Sequence, residues 1–238
     1  MTKIKKMGSI YYKDAAAKPG FTCYDSEPHI SIGNTMPGKE LRWVEAGKLL
    51  AADRCVCTNV SWNDLDRLGF VTGWPVRIDR KSYLCRCLHV GVDREEPSEW
   101  DELLDEFGTE DSLWHWQDQS FWGQETHSAQ RELRILRGYC SARSRGDNYA
   151  DDRLPMIGFR PVLEPLSSIP DDLGPLAGKE VCIYGPVRTR FTANLMSADE
   201  YDIIMEEKCG LPIDCNWVIR ERGMMLVRRD AITWLKAV

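Results

Sequence analysis

The sequence lacks the apolar stretches that membrane proteins and secreted precursors carry. No run of about 18 apolar residues occurs, so we expect no membrane span and no membrane partner. Residues 1–20 contain lysines but no continuous apolar stretch, so we expect no secretory signal. Without such a signal, nine cysteines at irregular spacings are typical of reduced thiols. The sequence therefore predicts a cytoplasmic location.

The sequence also has little of what nucleotide and nucleic-acid chemistry requires. It contains no glycine-rich phosphate loop and no nucleophile elbow, so we expect neither a nucleotide-binding protein nor a hydrolase. The formal charge of −6 gives the chain as a whole no attraction for a phosphate backbone. Binding of nucleic acid is therefore unfavoured, although local basic patches leave it open.

The composition is that of a folded protein with more than one part. The chain has 238 residues, of which 43% are hydrophobic and 29% charged, which suits one large domain with a small appendage. Proline and glycine are concentrated in "SSIPDDLGPLAGK", which is typical of a linker. We predict an extended lead-in at 1–40, a main domain at 41–166, a linker at 167–178 and a small domain at 179–238.

Local patterns in the main domain predict two short helices among strands. "SWNDLDRLG" and "SEWDELLDEFG" each begin at a capping serine, Ser61 or Ser98, and end at a glycine, Gly69 or Gly108. Between and around them, turn residues separate runs that favour strands. These runs are "LRWVEAGKLLAADRCVCTNV", "WPVRIDRKSYLCRCLHVG", "RELRILRGYCSAR" and "MIGFRPVLEPL".

The tail beyond residue 179 predicts a small α+β unit. "EVCIYG" favours a strand, and "CNWVIRERGMMLV" favours a hairpin around Gly223. Ser197 and Glu200 have the spacing of a capping box, so we predict a helix over 197–210. A last helix, "RDAITWLKAV", is predicted with Asp230 as its cap.

One stretch resembles a known family. "RGYCSARSRGDNYADDRLPMIGFRPVLE", residues 137–164, is similar to the C-terminal end of formylglycine-generating-enzyme (sulfatase-modifying-factor) domains, and the resemblance covers roughly residues 30–165. It implies an α+β fold: a loop-rich, C-type-lectin-like domain, here followed by the small C-terminal α+β unit. For "IGFRPVL" we also expect a physical role. Gly158 permits a close backbone approach, Phe159 fills the core, and the planar fork of Arg160 satisfies carbonyls or a carboxylate.

The resemblance also implies an oxidase chemistry from which this sequence departs. In the family, a pair of cysteines five residues apart binds copper and activates oxygen. Here Cys140 is present, but the position of the other cysteine, five residues earlier, is occupied by Ile135. The iron-dependent relatives use several histidines, and the four histidines of this chain include no pair at helical spacing. We therefore predict no catalytic residue, no metal and no cofactor, with Cys140 as a small buried residue of a strand.

Two further metal sites are open from the residues alone. The pairs Cys55/Cys57 and Cys85/Cys87 each place two thiols on one face of a strand, so neighbouring strands could offer zinc four ligands. Burial as small apolar side chains is the reading we favour, because zinc is usually held by pairs two residues apart in tight turns. The acidic loop 146–152 could likewise offer calcium its oxygens, but its spacing favours a solvated loop.

The sequence best supports a non-enzymatic protein that binds a protein or another macromolecule. Surface loops on a rigid frame, and exposed Trp, Tyr and Arg, are typical of recognition. Burial in the core is the competing expectation for the tryptophans. Such a protein is compatible with a phage or mobile-element origin, and with recognition of a surface or inhibition of a host defence complex. The candidate partner-binding residues are Arg143, Arg145, Asp147, Asn148, Tyr149, Trp114, Trp116 and Trp122.

Two other functions stay open at this point. A divergent oxygen-using oxidase built around Cys140 predicts a reactive thiol or a bound metal. A nucleic-acid-binding protein would use the basic C-terminal hairpin and lose affinity steeply with salt. The residues that would carry this second alternative are Arg220, Arg222, Arg228 and Arg229.

Overall fold

The computed structural model describes residues 2–93, 95–167, 169–185, 189–206 and 216–238. The protein is mostly β-sheet, with 44% strand, 11% helix and four sheets. The predicted α+β class is therefore wrong, and the fold is β-rich. The chain divides into two compact units, Met1–Leu166 and Ser167–Val238. Residues 1–40, expected as an extended lead-in, contain five strands of the first unit.

Unit 1 contains three short helices and fifteen strands among the described residues. The helices are α1 (Trp62–Arg67), α2 (Glu99–Phe107) and α3 (Asp111–Trp114). The strands are β1 (Ile4–Lys6), β2 (Ser9–Tyr12), β3 (Ala15–Ala16), β4 (Phe21–Thr22), β5 (Ile30–Gly33), β6 (Arg42–Ala46), β7 (Leu49–Ala52), β8 (Cys57–Thr58), β9 (Trp74–Ile78), β10 (Lys81–Cys87), β11 (Ser120–Thr126), β12 (Leu133–Gly138), β13 (Arg145–Tyr149), β14 (Ile157–Phe159) and β15 (Pro161–Pro165).

The strands of unit 1 form two six-stranded sheets and one three-stranded sheet. Their orders are β1-β6-β7-β15-β10-β9, β13-β12-β11-β14-β8-β4 and β3-β2-β5. Pairing is antiparallel except between β11 and β14 and between β4 and β8. Strand β13 lies at the edge of the second sheet, so only one of its two sides is paired within that sheet.

Both helices predicted in the main domain are confirmed, and so are their capping serines. The hydroxyl of Ser61 accepts a hydrogen bond from the backbone N–H of Asp64 at 3.0 Å, and that of Ser98 from Asp101 at 3.1 Å. Gly108 ends α2 with a φ of +83°. Helix α2 buries one apolar face, whose core members are Trp100, Leu103 and Leu104.

The "GFR" stretch has the role expected from its residue types. A Cβ on Gly158 would lie 2.4 Å from the backbone oxygen of Cys57, so only glycine allows this approach of β14 to β8. Phe159 is fully buried and stacks on Phe70 at 5.1 Å between ring centroids. Arg160 is also fully buried, and burial lowers the pKa of its guanidinium.

The guanidinium of Arg160 binds backbone carbonyls and two aromatic rings. Nη1 donates to the oxygen of Asp53 at 3.1 Å and Nη2 to that of Trp114 at 2.6 Å, with longer contacts of 3.4 Å to the oxygens of Ala52 and His115. Its central carbon lies 4.9 Å and 4.8 Å from two ring centroids, which belong to Trp100 and Phe121. Since carbonyl oxygens and ring faces both carry partial negative charge, they stabilise the buried cation.

In its described residues, unit 2 is one antiparallel sheet of six strands. Its order is β19-β20-β18-β17-β16-β21. A short 3-10 helix, Gly174–Leu176, precedes the sheet and a second, Arg229–Ala231, precedes its last strand. The strands are β16 (Glu180–Tyr184), β17 (Arg190–Ala198), β18 (Asp202–Glu206), β19 (Val218–Glu221), β20 (Met224–Arg228) and β21 (Trp234–Ala237).

Both helices predicted in the tail are wrong. Residues 197–206 form the end of β17, a turn and β18, while the rest of that predicted helix, 207–210, lies outside the described residues. The turn explains the error: the carboxylate of Asp199 accepts from the backbone N–H groups of Tyr201 and Asp202, both at 2.8 Å. A side chain that caps a helix accepts hydrogen bonds from backbone N–H groups at the same short spacing. A tight turn and the start of a helix therefore have the same residue pattern in the sequence. The predicted hairpin is confirmed, with Arg222 and Gly223 as its two turn residues at positive φ.

Candidate functional site

Three arginines converge on one carboxylate beside helix α2. Asp101 accepts hydrogen bonds from Arg137 at 2.9 and 2.5 Å, from Arg145 at 3.2 Å and from Arg143 at 3.3 Å. Arg143 also pairs with the exposed Asp105. These side chains line an open cleft of about 590 Å³. Arg143 and Arg145, which were predicted to bind a partner, therefore hold residues 143–145 against helix α2.

The sheet register brings these charges together. Arg137 on β12 lies directly opposite Arg145 on β13, so both side chains project from the same face. Burial raises the pKa of Asp101, but hydrogen bonds from Arg137 and Ser98 and the charges of Arg137 and Arg145 outweigh it, so the net pKa is lowered. Burial and the nearby Arg137 lower the pKa of Arg145. The side chain of Arg137 is only 1% exposed, so this ion pair belongs to the frame.

The segment 139–156 carries a concentration of exposed apolar side chains. In the described part of unit 1, six large apolar side chains are exposed, and four of them lie in this segment. The predicted Asp147 is also exposed, whereas Asn148 is half-buried. The four apolar side chains are Tyr139, Tyr149, Leu154 and Met156.

Backbone bonds and one ion pair fix the ends of this segment. The backbone N–H of Ser120, at the start of β11, donates to the oxygen of Met156 at 2.8 Å, and that of Tyr139 donates to Gln119 at 2.9 Å. Arg153 binds the buried carboxylate of Asp64 through two bonds of 2.7 and 2.8 Å. Sequence reasoning missed this pair because its members are 89 residues apart.

The three tryptophans predicted to bind a partner contribute little to the surface. Trp114 and Trp122 are fully buried, and their indole N–H groups donate to backbone oxygens at 2.9 and 2.8 Å. Trp116 is half-buried and donates to the oxygen of Thr109 at 2.8 Å. Burial satisfies the ring and its N–H together. Trp114 and Trp122 are therefore unavailable to a partner.

Cys140 is exposed, so its prediction as a buried strand residue is wrong. It lies in a bend beyond β12, whereas Ile135, its counterpart in the family pattern, is buried within that strand. The four thiols of the two predicted pairs are buried, and burial raises the pKa of Cys57 and Cys87. Within the described residues, no three His, Cys, Asp or Glu side chains are grouped so that they could hold a metal.

The basic hairpin of unit 2 is partly engaged within the unit. Arg228 pairs with Asp230 at 2.6 Å. Arg229 donates to three backbone oxygens at 2.6 to 2.7 Å. Arg222 lies 3.7 Å from its neighbour Glu221. These contacts engage Arg228 and Arg229 within the unit, whereas the side chain of Arg222 is 86% exposed and stays accessible.

Comparisons with known proteins add nothing to this geometry. Neither a family model nor a curated protein nor a solved structure matches the chain. The resemblance of residues 137–164 to formylglycine-generating enzymes therefore stays a prediction. Among the helices of the described residues, none is both long enough and apolar enough to cross a membrane.

Proposed function

We propose that this chain is a non-enzymatic binding protein of the cytoplasm that recognises a protein partner through segment 139–156. The observation that carries the proposal is the concentration of exposed Tyr, Leu and Met side chains in a segment whose ends are fixed. Water-exposed apolar side chains gain free energy when a partner covers them, and tyrosine is frequent among the residues that dominate binding energy.

The frame beneath the segment supports this reading. Loops that bind partners are commonly positioned by a rigid scaffold. Here Arg137 and Arg145 tie β12 and β13 to α2, and Arg153 ties the following turn to α1. Because these arginine contacts hold the backbone of the segment in place before binding, little backbone conformational entropy is lost when a partner docks. Arg143, whose side chain is 46% exposed, adds a cation beside the apolar residues.

Three of the four histidines have structural contacts, which supports binding over catalysis. His89 contacts Glu125 at 3.1 Å, and the ring of His115 contacts Arg54 at 2.9 Å. His127 accepts from two backbone N–H groups, each at 3.2 Å. Each of these rings is thus occupied by a structural contact. None of these contacts involves Cys140, the thiol on which the oxidase alternative depends.

Affinity capture with matched variants tests the proposal. The wild type is compared with the double variant Tyr139→Ser/Met156→Ser, which removes two apolar side chains that flank the start of β11. Tyr24→Ser is the control, because Tyr24 is 82% exposed but lies outside the segment. We expect partners cross-linked to the wild type and the control to be lost from the double variant. Equal recovery by all three proteins would refute the proposal.

A further inference from the structure

The edge strand β13 offers unpaired backbone groups on its outer side. The backbone N–H of Gly138 donates to the oxygen of Ser144 at 3.1 Å, and that of Ala150 donates to the oxygen of Glu132 at 3.0 Å. These two bonds determine which residues of β13 form hydrogen bonds with β12. In an antiparallel ladder alternate residues bond to the same neighbour, so Gly146 and Asn148 face β12. The N–H and C=O groups of Arg145, Asp147 and Tyr149 face outward.

Only the central part of this edge is open. The N–H of Tyr149 donates to the side-chain oxygen of Asn148 at 3.0 Å, and its C=O accepts from Asp152 at 3.1 Å. The backbone N–H and C=O of Arg145 and Asp147 have no partner among the described residues. The four unpaired groups are therefore placed symmetrically about Gly146.

The edge has only part of the protection that usually prevents strand addition. Natural edges are protected by proline, a bulge, charged side chains or short length, and β13, with the sequence RGDNY, contains neither proline nor a bulge. Its charged side chains, Arg145 and Asp147, disfavour a like-charged strand but not one that brings opposite charges into register. Gly146 and Asp147 are both exposed, so the centre of the edge is open to solvent.

We propose that β13 pairs antiparallel with β13 of a second copy of this chain, about a two-fold axis at Gly146. In this register Arg145 lies opposite the second copy's Asp147, and Asp147 opposite its Arg145. The four outward groups of each copy then form four hydrogen bonds across the axis. The six-stranded sheet that contains β13 then continues into the same sheet of the second copy, which gives one sheet of twelve strands.

Charge selects this register over its neighbours. The outward groups can also meet if the axis moves by one residue along the strand. An axis at Asp147 places two aspartates opposite each other, and an axis at Arg145 places two arginines opposite each other. Like charges directly opposite are destabilising, whereas opposite charges are stabilising. The axis at Gly146 alone pairs opposite charges on both sides.

Arg145 can take a second carboxylate without leaving its frame. Two bonds of its guanidinium are used, to the oxygen of Gly91 at 2.7 Å and to Asp101 at 3.2 Å, and the fork offers five donors. Burial and the charge of Arg137 disfavour the positive charge of Arg145 and lower its pKa. Asp147 of a second copy would supply a further negative charge beside it. Asp147 itself has no side-chain partner among the described residues.

Sedimentation velocity of the full chain over a concentration series tests the proposal. We expect reversible formation of a dimer by the wild type. Asp147→Pro removes an outward N–H that the fold does not use, so it weakens association by about tenfold to a hundredfold for the two hydrogen bonds lost per dimer. Asp147→Lys keeps the N–H but places a cation opposite Arg145, and we expect a loss of about tenfold.

Glu106→Lys is the matched control, because it makes the same charge change on an exposed residue of α2. We expect its dimerisation to equal that of the wild type. A wild type that stays monomeric throughout the series contradicts the proposal. So does a dimer that both Asp147 variants form as strongly as the wild type, because its interface would then lie elsewhere. The lysine variant keeps an ordinary backbone at residue 147. A loss of dimer in that variant therefore cannot result from strain introduced by proline.

Discussion

Neutralising Asp101 tests whether the convergence of arginines holds unit 1 together. In Asp101→Asn, the carboxylate that binds three guanidinium groups becomes a neutral amide of nearly the same shape. Arg137, whose side chain is 1% exposed, then lacks its counter-charge. Breaking a buried ion pair by removing one partner costs about 3 to 5 kcal/mol. Because Asp101 is 27% exposed and water partly compensates, we expect about 3 kcal/mol, the lower end of this range.

Urea unfolding measures this loss as a lower midpoint at unchanged slope. Asp105→Asn is the control, since its carboxylate is 72% exposed and an exposed pair contributes less than about 1 kcal/mol. In the double variant Asp101→Asn/Arg137→Leu the buried cation is gone as well, and we expect part of the stability to return.

The pH dependence gives a second readout of the same pair. The pKa of Asp101 is lower in the folded protein than the ordinary aspartate value of 3.8. Its contribution to stability is therefore fully present above that ordinary value and is lost as the pH falls through the folded pKa. The stability difference between the wild type and Asp101→Asn should be constant near neutral pH and shrink below the ordinary value. A variant as stable as the wild type at neutral pH, or a difference that does not shrink in acid, refutes the reasoning.

Two further predictions concern the "GFR" stretch and the exposed thiol. Gly158→Ala places a Cβ at 2.4 Å from the oxygen of Cys57, so we expect a loss of about 1 to 3 kcal/mol in thermal unfolding, and an unchanged melting temperature would contradict the close approach. Cys140 is the exposed thiol among the described cysteines, so a maleimide should label it in the native protein at the rate of an ordinary exposed thiol, and Cys140→Ser should abolish that label. Unaltered labelling of the serine variant would place the labelled thiol at another residue, and a rate far above that of an ordinary thiol would favour the oxidase alternative.

Local signals in the sequence were sufficient where the structure they specify is local. The capping serines and terminal glycines of α1 and α2, and the hairpin at Gly223, depend on bonds between residues a few positions apart. The last predicted helix is instead the 3-10 helix Arg229–Ala231 followed by β21. The helix predicted over 197–210 failed because a turn can make the same local bonds as a helix start. Asp199 makes the bonds of a helix cap but begins a tight turn, and the alternating burial of Ile203 and Met205 then favours a strand.

The candidate surface could be predicted only in part, because its construction depends on contacts distant in sequence. Arg143 and Tyr149 were found from residue type and loop composition. The anchors could not be found, since Asp101 and Arg137 are 36 residues apart. Cys140 was misplaced for a different, local reason, which is the position at which the strand ends. Its neighbours favoured a strand, but β12 ends at Gly138, two residues before the thiol.

Arg160 has a consequence for how unit 1 is completed during synthesis. Its guanidinium holds carbonyls of residues 52–53 and 114–115, and β15, which follows it, lies between β7 and β10 in the first sheet. A ribosome-bound chain that has emerged only as far as residue 155 contains those carbonyls but neither their donor nor the intervening strand. Residues 1–155 therefore cannot complete the first sheet until the segment that contains Arg160 and β15 has been synthesised.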